Sequence, residues 1–200
     1  MVKLKIKWRL FTHYPRCLDN IAFEHIYEEL KDMCRRYDNL IKGKIYPSRR
    51  LSCVFSNLED KFQGDAKSGL FSYTQLTNFN WTSAPIVHYI KIYLEIMLET
   101  YFDYCLAHIY EDGSDIINWH HDKEALYSDV VSVSFGANRK FRLRHIGEAK
   151  SYKYEFILRN GDIFHMLNGC QRELEHCIPI EKSVKEARIN LTFRKAVKTQ

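Results

Sequence analysis

An imidazole and a carboxylate two residues apart, His120 and Asp122 in Asn118-Trp119-His120-His121-Asp122, could share one ion. On an extended strand, positions two apart face the same side, so both groups can converge on a single point. Alone the pair says little, because a chain with nine histidines often carries an exposed histidine near an exposed aspartate. His176, 54 residues beyond Asp122 and on a second predicted strand, adds a third member. Two histidines and one carboxylate form the set that occupies one face of an octahedral iron(II) and leaves the other positions open. A keto acid can chelate through two of those positions, with the last left for dioxygen.

Twelve residues after His176 begins Arg188-Ile189-Asn190-Leu191-Thr192-Phe193-Arg194. Read as a strand, it has an apolar face (Ile189, Leu191, Phe193) and a polar face (Arg188, Asn190, Thr192, Arg194). The two arginines start about 20 Å apart at the backbone, and side chains leaning together shorten the gap toward the length of a small dicarboxylate. Guanidinium groups grip carboxylates through paired hydrogen bonds that a lysine cannot match. The competing reading is a solvent-facing edge strand with ordinary polar residues.

Together these residues carry a resemblance to the AlkB family of nucleic-acid demethylases. Tyr110-x-Asp112-Gly113-x-Asp115 before H-x-D, Val133-Ser134-Phe135-Gly136 after it, Asn160-Gly161-Asp162, and the R-x-N-x-T-F-R ending at Arg194 all look like that family. The likeness runs from about residue 20 to 195 and is greatest toward the DNA-repair subgroup. It implies an iron(II)- and 2-oxoglutarate-dependent dioxygenase that removes N-methyl damage, such as 1-methyladenine and 3-methylcytosine, from DNA. An oxygenase acting on methylated RNA is the alternative, with a protein or small-molecule substrate further off. His120, Asp122 and His176 would bind iron. Arg188, helped by Tyr110, would hold the distal carboxylate of 2-oxoglutarate, and Arg194 with Asn190 and Thr192 the chelating end. His108 stands where the family usually has asparagine near the co-substrate, and a histidine can donate the same kind of hydrogen bond. Tyr73 matches the ring placed under a flipped base, and Glu124 an acidic position that probes its exocyclic amine. Ile41, in Leu40-Ile41-Lys42-Gly43-Lys44, falls where a duplex-active relative has an intercalating aromatic; apolar wedges can also unstack bases. Arg49 and Arg50, following Pro47, read either as phosphate contacts or as a solvated basic pair.

The elements that must position these groups follow from periodicity. Residues 2–10 alternate apolar and basic side chains, which predicts a strand with one positive face. Apolar residues at steps of three and four from Phe23 to Tyr37 predict a helix capped by Asp19 or Asn20. A second helix is expected from Ser83, as cap, to Tyr101, with Pro85 in its first turn. Residues 56–72 read as a loop. Beyond residue 102, turn signals at Asp112-Gly113, Gly136-Ala137-Asn138 and Asn160-Gly161 separate short strands. This pattern predicts a mainly β fold with flanking α-helices: a double-stranded β-helix, or jelly roll, with two N-terminal helices packed on one sheet. Residues 1–200 are expected to form one domain, with strand, helices and nucleotide-recognition loops in 1–101 and the catalytic core in 102–195.

A net charge of +5 is compatible with a polyanionic partner but also with ordinary surface. No apolar run is long enough to span a membrane, and the six cysteines contain no C-x-x-C pair, which disfavours a zinc ribbon. The expectation is an intracellular, soluble monomer whose partner is methylated nucleic acid, DNA favoured over RNA.

Overall fold

Alternation with a period of two dominates the second half of the chain, and it closes there into two facing sheets. The computed structural model describes residues 6–41, 44–57, 76–148 and 152–196. In chain order these form β1 (Ile6–Lys7), β2 (Phe11–Tyr14), α1 (Phe23–Leu30), β3 (Asp38–Ile41), β4 (Lys44–Pro47), β5 (Leu51–Ser56), β6 (Asn78–Phe79) and α2 (Pro85–Leu98). There follow β7 (Tyr104–Tyr110), β8 (Ile117–His120), β9 (Val130–Gly136), β10 (Arg139–His145), β11 (Tyr154–Leu158) and β12 (Asp162–Met166). The short helix α3 (Cys170–Glu173), β13 (Leu174–Ile178) and β14 (Arg188–Arg194) complete the order.

The larger sheet runs β1-β2-β12-β9-β14-β7-β5-β6 and the smaller β11-β10-β13-β8. Four strands of each, β12-β9-β14-β7 against β11-β10-β13-β8, make the jelly roll. Its interior is filled at one end by Phe141 and Leu143 from the smaller sheet meeting Val130, Phe164 and Met166 from the larger, with Phe11 beside them. The outer face of the larger sheet is covered by the helices. Ile26 and Leu30 of α1 and Val87, Ile90 and Leu94 of α2 share a cluster with Val133, Phe135, Ile189, Leu191 and Phe193. The expected fold class and the placement of both helices on one sheet therefore hold. No helix among the described residues is long and apolar enough to cross a membrane.

Boundaries differ where long-range contacts override local pattern. The N-terminal strand breaks after Lys7, because Trp8 N–H donates to the Phe11 carbonyl (2.9 Å) and turns the chain into β2. Helix α1 is shorter than its apolar stripe: after Leu30 the chain leaves the helix, and Arg35 exchanges backbone bonds with Ser52 of β5 (3.1 and 2.9 Å). Its N-cap is Ala22 rather than Asp19 or Asn20, and Asp19 pairs with Arg16 instead. Ser83 does not cap α2; it closes the preceding 3-10 turn Trp81–Ser83. The first amides of α2, Ile86 and Val87, donate to the carboxylate of Glu29 on α1 (2.9 and 3.1 Å), a cap supplied from another helix. The hairpin β3–β4 and the short strand β6 had no clear signal in the sequence.

The loop between β7 and β8 sets where His120 begins, and two devices hold it. Arg139, nearly fully buried, donates to the carbonyls of Asp112 (3.0 Å), Asp115 (2.9 Å) and Pro179 (2.9 Å) and pairs with Glu181 (3.2 Å). Gly113 bonds through its backbone to Val184 (3.0 Å) and Glu181 (2.8 Å), so closely that an added Cβ would lie 1.8 Å from the Glu181 carbonyl oxygen. Gly113→Ala must therefore part the two loops. It is expected to destabilise the chain by about 2–3 kcal/mol, the scale of overpacking plus lost hydrogen bonds. Urea unfolding would check this, and an unchanged midpoint would refute it.

Candidate active site

Strands β8 and β13 pair so that His120 and His176 stand directly opposite, with ring centroids 4.3 Å apart. β8 ends at His120, so Asp122 lies just past the strand rather than on it. It remains extended (φ −81°, ψ 95°) as the residue before the 3-10 turn Lys123–Ala125, and the side chain still reaches the same side. One donor atom from each of His120, Asp122 and His176 lies within 4.8 Å of the others. His120 Nδ1 sits 2.9 Å from the Asn118 carbonyl, which makes it the protonated nitrogen and leaves the Nε2 lone pair for the cluster. Gln171 holds the other end: its Oε1 accepts from the Asp122 amide (2.9 Å) and its Nε2 donates to Met166 Sδ (3.3 Å). Nothing in the sequence singled out Gln171, because its partner lies 49 residues away.

The protonation states suit a divalent cation. Burial alone would push the Asp122 carboxyl up, but the Arg194 guanidinium and the two imidazoles outweigh it and hold it at about 2. Burial, reinforced by His120, pulls His176 down to about 3, and burial also lowers His120. Neutral imidazoles and an ionised carboxylate are the metal-binding forms. Asp122 Oδ1 accepts from Arg194 Nη2 at 2.9 Å, whereas Oδ2 is buried with no hydrogen-bond partner. A buried carboxylate with one orphaned oxygen, clustered with two neutral imidazoles, fits iron(II).

The larger sheet supplies the second half of the site. β14 lies between β9 and β7 and all seven of its residues are buried, which removes the edge-strand reading. Register places Tyr110 opposite Arg188 and His108 opposite Asn190 on one side, and Ser134 opposite Asn190 and Ser132 opposite Thr192 on the other. Arg188 Nη2 donates to Ser134 Oγ (2.9 Å) and Asn190 Oδ1 (3.1 Å), and Asn190 Nδ2 donates to Ser132 (3.1 Å) and Thr192 (3.0 Å). Arg188 Nε and Nη1 remain buried without a hydrogen-bond partner, and the Tyr110 ring lies 5.1 Å from its guanidinium carbon. Arg194, at the other end of the strand, faces Asp122. One pocket joins His120, Asp122 and His176 to His108, Asn190 and Thr192. The metal-ready cluster lines this pocket. Arg188 does not line it, but it donates to Asn190, which does, and two of its nitrogens are buried without a hydrogen-bond partner, an arrangement that fits an anion reaching from the cluster toward Arg188.

Similarity to known proteins agrees. The 2OG-Fe(II) oxygenase superfamily matches residues 11–194. The chain belongs to that superfamily. The chain is 34% identical over 124 residues to the bovine DNA oxidative demethylase ALKBH2, covering 58% of this chain and 45% of that protein. It is 33% identical over 147 residues to human ALKBH2, covering 68% and 56%. To the mouse alpha-ketoglutarate-dependent dioxygenase alkB homolog 3 it is 28% identical over 196 residues, covering 90% and 64%. It thus spans between 45% and 64% of the length of these relatives. A solved structure described as "The structure of OsALKBH1" superposes with a TM-score of 0.60 at 16% identity, over 96% of this chain and 100% of that one, and shares the fold. The superfamily's description names iron(II) and 2-oxoglutarate, and His120, Asp122 and His176 are the cluster that fits the metal.

Outside the inner pocket the chain has a cleft of about 1020 Å³, and His120 lines both. Arg36, Arg49 and Arg50 and the rings of Tyr37, Tyr46 and Trp119 form its walls. The two adjacent arginines separate: Arg49 is exposed, whereas Arg50 is 8% exposed and reaches the inner pocket. Ser48 Oγ bonds both the amide and the carbonyl of Arg50 (3.2 and 2.7 Å), a local turn that sends this side chain inward. Glu124 Oε1 lies 3.2 Å from Arg194 Nη1, so it faces an arginine rather than the cleft. Ile41 pairs with Lys44 at one end of the β3–β4 hairpin; the cleft residues Tyr46 and Pro47 pair with Asn39 and Asp38 toward the other end. Tyr73 lies outside the described residues.

Proposed function

We propose that this oxygenase is an oxidative demethylase of nucleic acid that repairs N-methyl damage, 1-methyladenine and 3-methylcytosine in DNA, by direct reversal. The observation that carries this reading is that His120 lines both the inner pocket and a cleft also lined by arginines and aromatic rings. Arginines attract a phosphate backbone, and rings give a displaced base a surface to stack on. A base must leave its stack to reach so recessed a cluster, and methylation at a pairing position lowers that cost.

In this reading His120, Asp122 and His176 hold iron(II). Arg188 and Tyr110 hold the far carboxylate of 2-oxoglutarate, with Arg194, Asn190, Thr192 and His108 along its length. Iron(II), 2-oxoglutarate and dioxygen supply the oxidising power that turns N–CH3 into N–CH2OH, giving succinate and carbon dioxide. The C–N bond then breaks, releasing formaldehyde and the unmodified base. The protein's share is alignment: two facing strands fix the imidazoles, Gln171 fixes the Asp122 backbone, and Arg188 sets how far the co-substrate enters. Tyr73 would stack on the base, Ile41 would wedge the strand, Arg49 would meet phosphate, and Arg50 would face the incoming base. Glu124 would meet the amine of the base once Arg194 turns to the co-substrate.

Formaldehyde release tests this, with 1-methyladenine or 3-methylcytosine oligonucleotides offered as single-stranded DNA, duplex DNA and RNA. Release from the DNA substrates at the higher rate is expected. Succinate formation with no formaldehyde from any of them would reject the repair reading.

A further inference from the structure

Ser52 on β5 and His108 on β7 are register partners, and Ser52 Oγ lies 2.7 Å from His108 Nδ1. Both are buried, at 2% and 6% exposure, and His108 lines the inner pocket. We infer that Ser52 fixes His108 as the tautomer with hydrogen on Nε2, turned to the co-substrate, and so acts as a positioning residue for 2-oxoglutarate. The inference rests on reading this pocket as the 2-oxoglutarate site.

The ring has one proton to place. Burial keeps it neutral, and the guanidinium groups of Arg50, Arg194 and Arg188 reinforce this. A hydrogen on Nδ1 would donate to Ser52 and turn the Nε2 lone pair toward a pocket meant for a dianion, which is repulsive. A hydrogen on Nε2 gives the dianion a donor but turns Nδ1 into a buried acceptor. That acceptor needs a donor of its own. On the other side of His108, Asn190 already gives its amide hydrogens to Ser132 and Thr192 and accepts from Arg188. The Ser52 hydroxyl is the group in reach, and a hydroxyl can donate as readily as accept. The serine therefore removes the penalty on the one tautomer that helps bind the anion, much as outer partners orient metal-bound histidines.

Two measurements test this. Nitrogen-15 NMR of the imidazole in the metal-free chain should show hydrogen on Nε2 of His108, and a mixture of tautomers in Ser52→Ala. Calorimetry should then follow 2-oxoglutarate binding to the chain loaded with Mn(II), a redox-silent stand-in for iron(II). Ser52→Ala should weaken that binding about tenfold, the size expected for one hydrogen bond to a charged group, and leave Mn(II) affinity unchanged. Ser52→Thr, which keeps the hydroxyl, should restore it. In a His108→Asn background, where the amide donates without tautomers, Ser52→Ala should have no effect. An Nδ1–H ring in the unaltered chain, an unchanged affinity in Ser52→Ala, or an equal loss in the asparagine background would each overturn the role of Ser52 and leave the co-substrate reading standing. If the unaltered Mn(II)-loaded chain takes up no 2-oxoglutarate, both fall.

Discussion

Asp122→Ala is expected to abolish turnover, to weaken Mn(II) binding at least a hundredfold or so, and to destabilise the metal-free fold by about 2–3 kcal/mol. Two roles of one carboxylate produce these effects. Asp122 is the one acid in the three-residue cluster, so without it a dication meets two neutral rings and the nearby guanidinium of Arg194. In the metal-free chain the same carboxylate is the counter-charge of Arg194, which is 4% exposed. Removing one partner of a buried pair leaves the other charge poorly compensated. Glu124, 3.2 Å from Arg194 Nη1, softens that loss, which places the estimate below the usual range for breaking a buried pair. Asp122→Asn separates the roles. It keeps the volume and an acceptor for Arg194 but loses the charge, so metal binding should fall as in the alanine variant while stability falls less. Manganese titration and thermal unfolding in chelator would check both. Metal affinity within about threefold of the unaltered chain in either variant would reject the assignment.

Local periodicity was enough to reveal the two faces of β14, and those faces carry much of the site. Ile189, Leu191 and Phe193 meet the helices while Arg188, Asn190, Thr192 and Arg194 face the other way, as strict alternation requires. H-x-D was readable for the same reason, although the strand stops at His120 and Asp122 depends on an extended residue beyond it. What could not be read are the groups whose partners are distant in sequence. Glu29 caps α2 from 57 residues away, Arg139 ties together two loops, and Gln171 and Ser52 reach Asp122 and His108. Each is a polar residue with no local pattern, placed by strand register or helix packing that the sequence does not specify. Arg49 and Arg50 are a different case. They precede β5, and the turn closed by Ser48 divides them between solvent and interior, which a basic pair read from the sequence does not reveal.

Arg188→Met is expected to raise the stability of the metal-free chain by about 1–3 kcal/mol while weakening 2-oxoglutarate binding by roughly a hundredfold to a thousandfold. Arg188 is 1% exposed, yet among the described residues it forms no ion pair with a carboxylate, and two of its nitrogens have no hydrogen-bond partner. Burial lowers its pKa to about 10, which still leaves it charged at neutral pH. A buried cation that meets Ser134, Asn190 and Tyr110 but, among the described residues, no carboxylate is therefore a standing strain on the empty fold, and an apolar chain of similar length relieves it. Under the proposed function the benefit of the arginine would appear when a dicarboxylate binds beside it, because the guanidinium could then make the paired bonds it lacks. Arg188→Lys keeps the charge without the fork and should lose about tenfold in affinity. Thermal unfolding in chelator, together with calorimetry of 2-oxoglutarate on the Mn(II)-loaded chain, would read both quantities in the same preparations. A methionine variant that is less stable and binds the co-substrate normally would show that the arginine holds the fold together and that the anion binds elsewhere. The opposite changes in stability and affinity would identify Arg188 as a binding group that the fold maintains at its own expense.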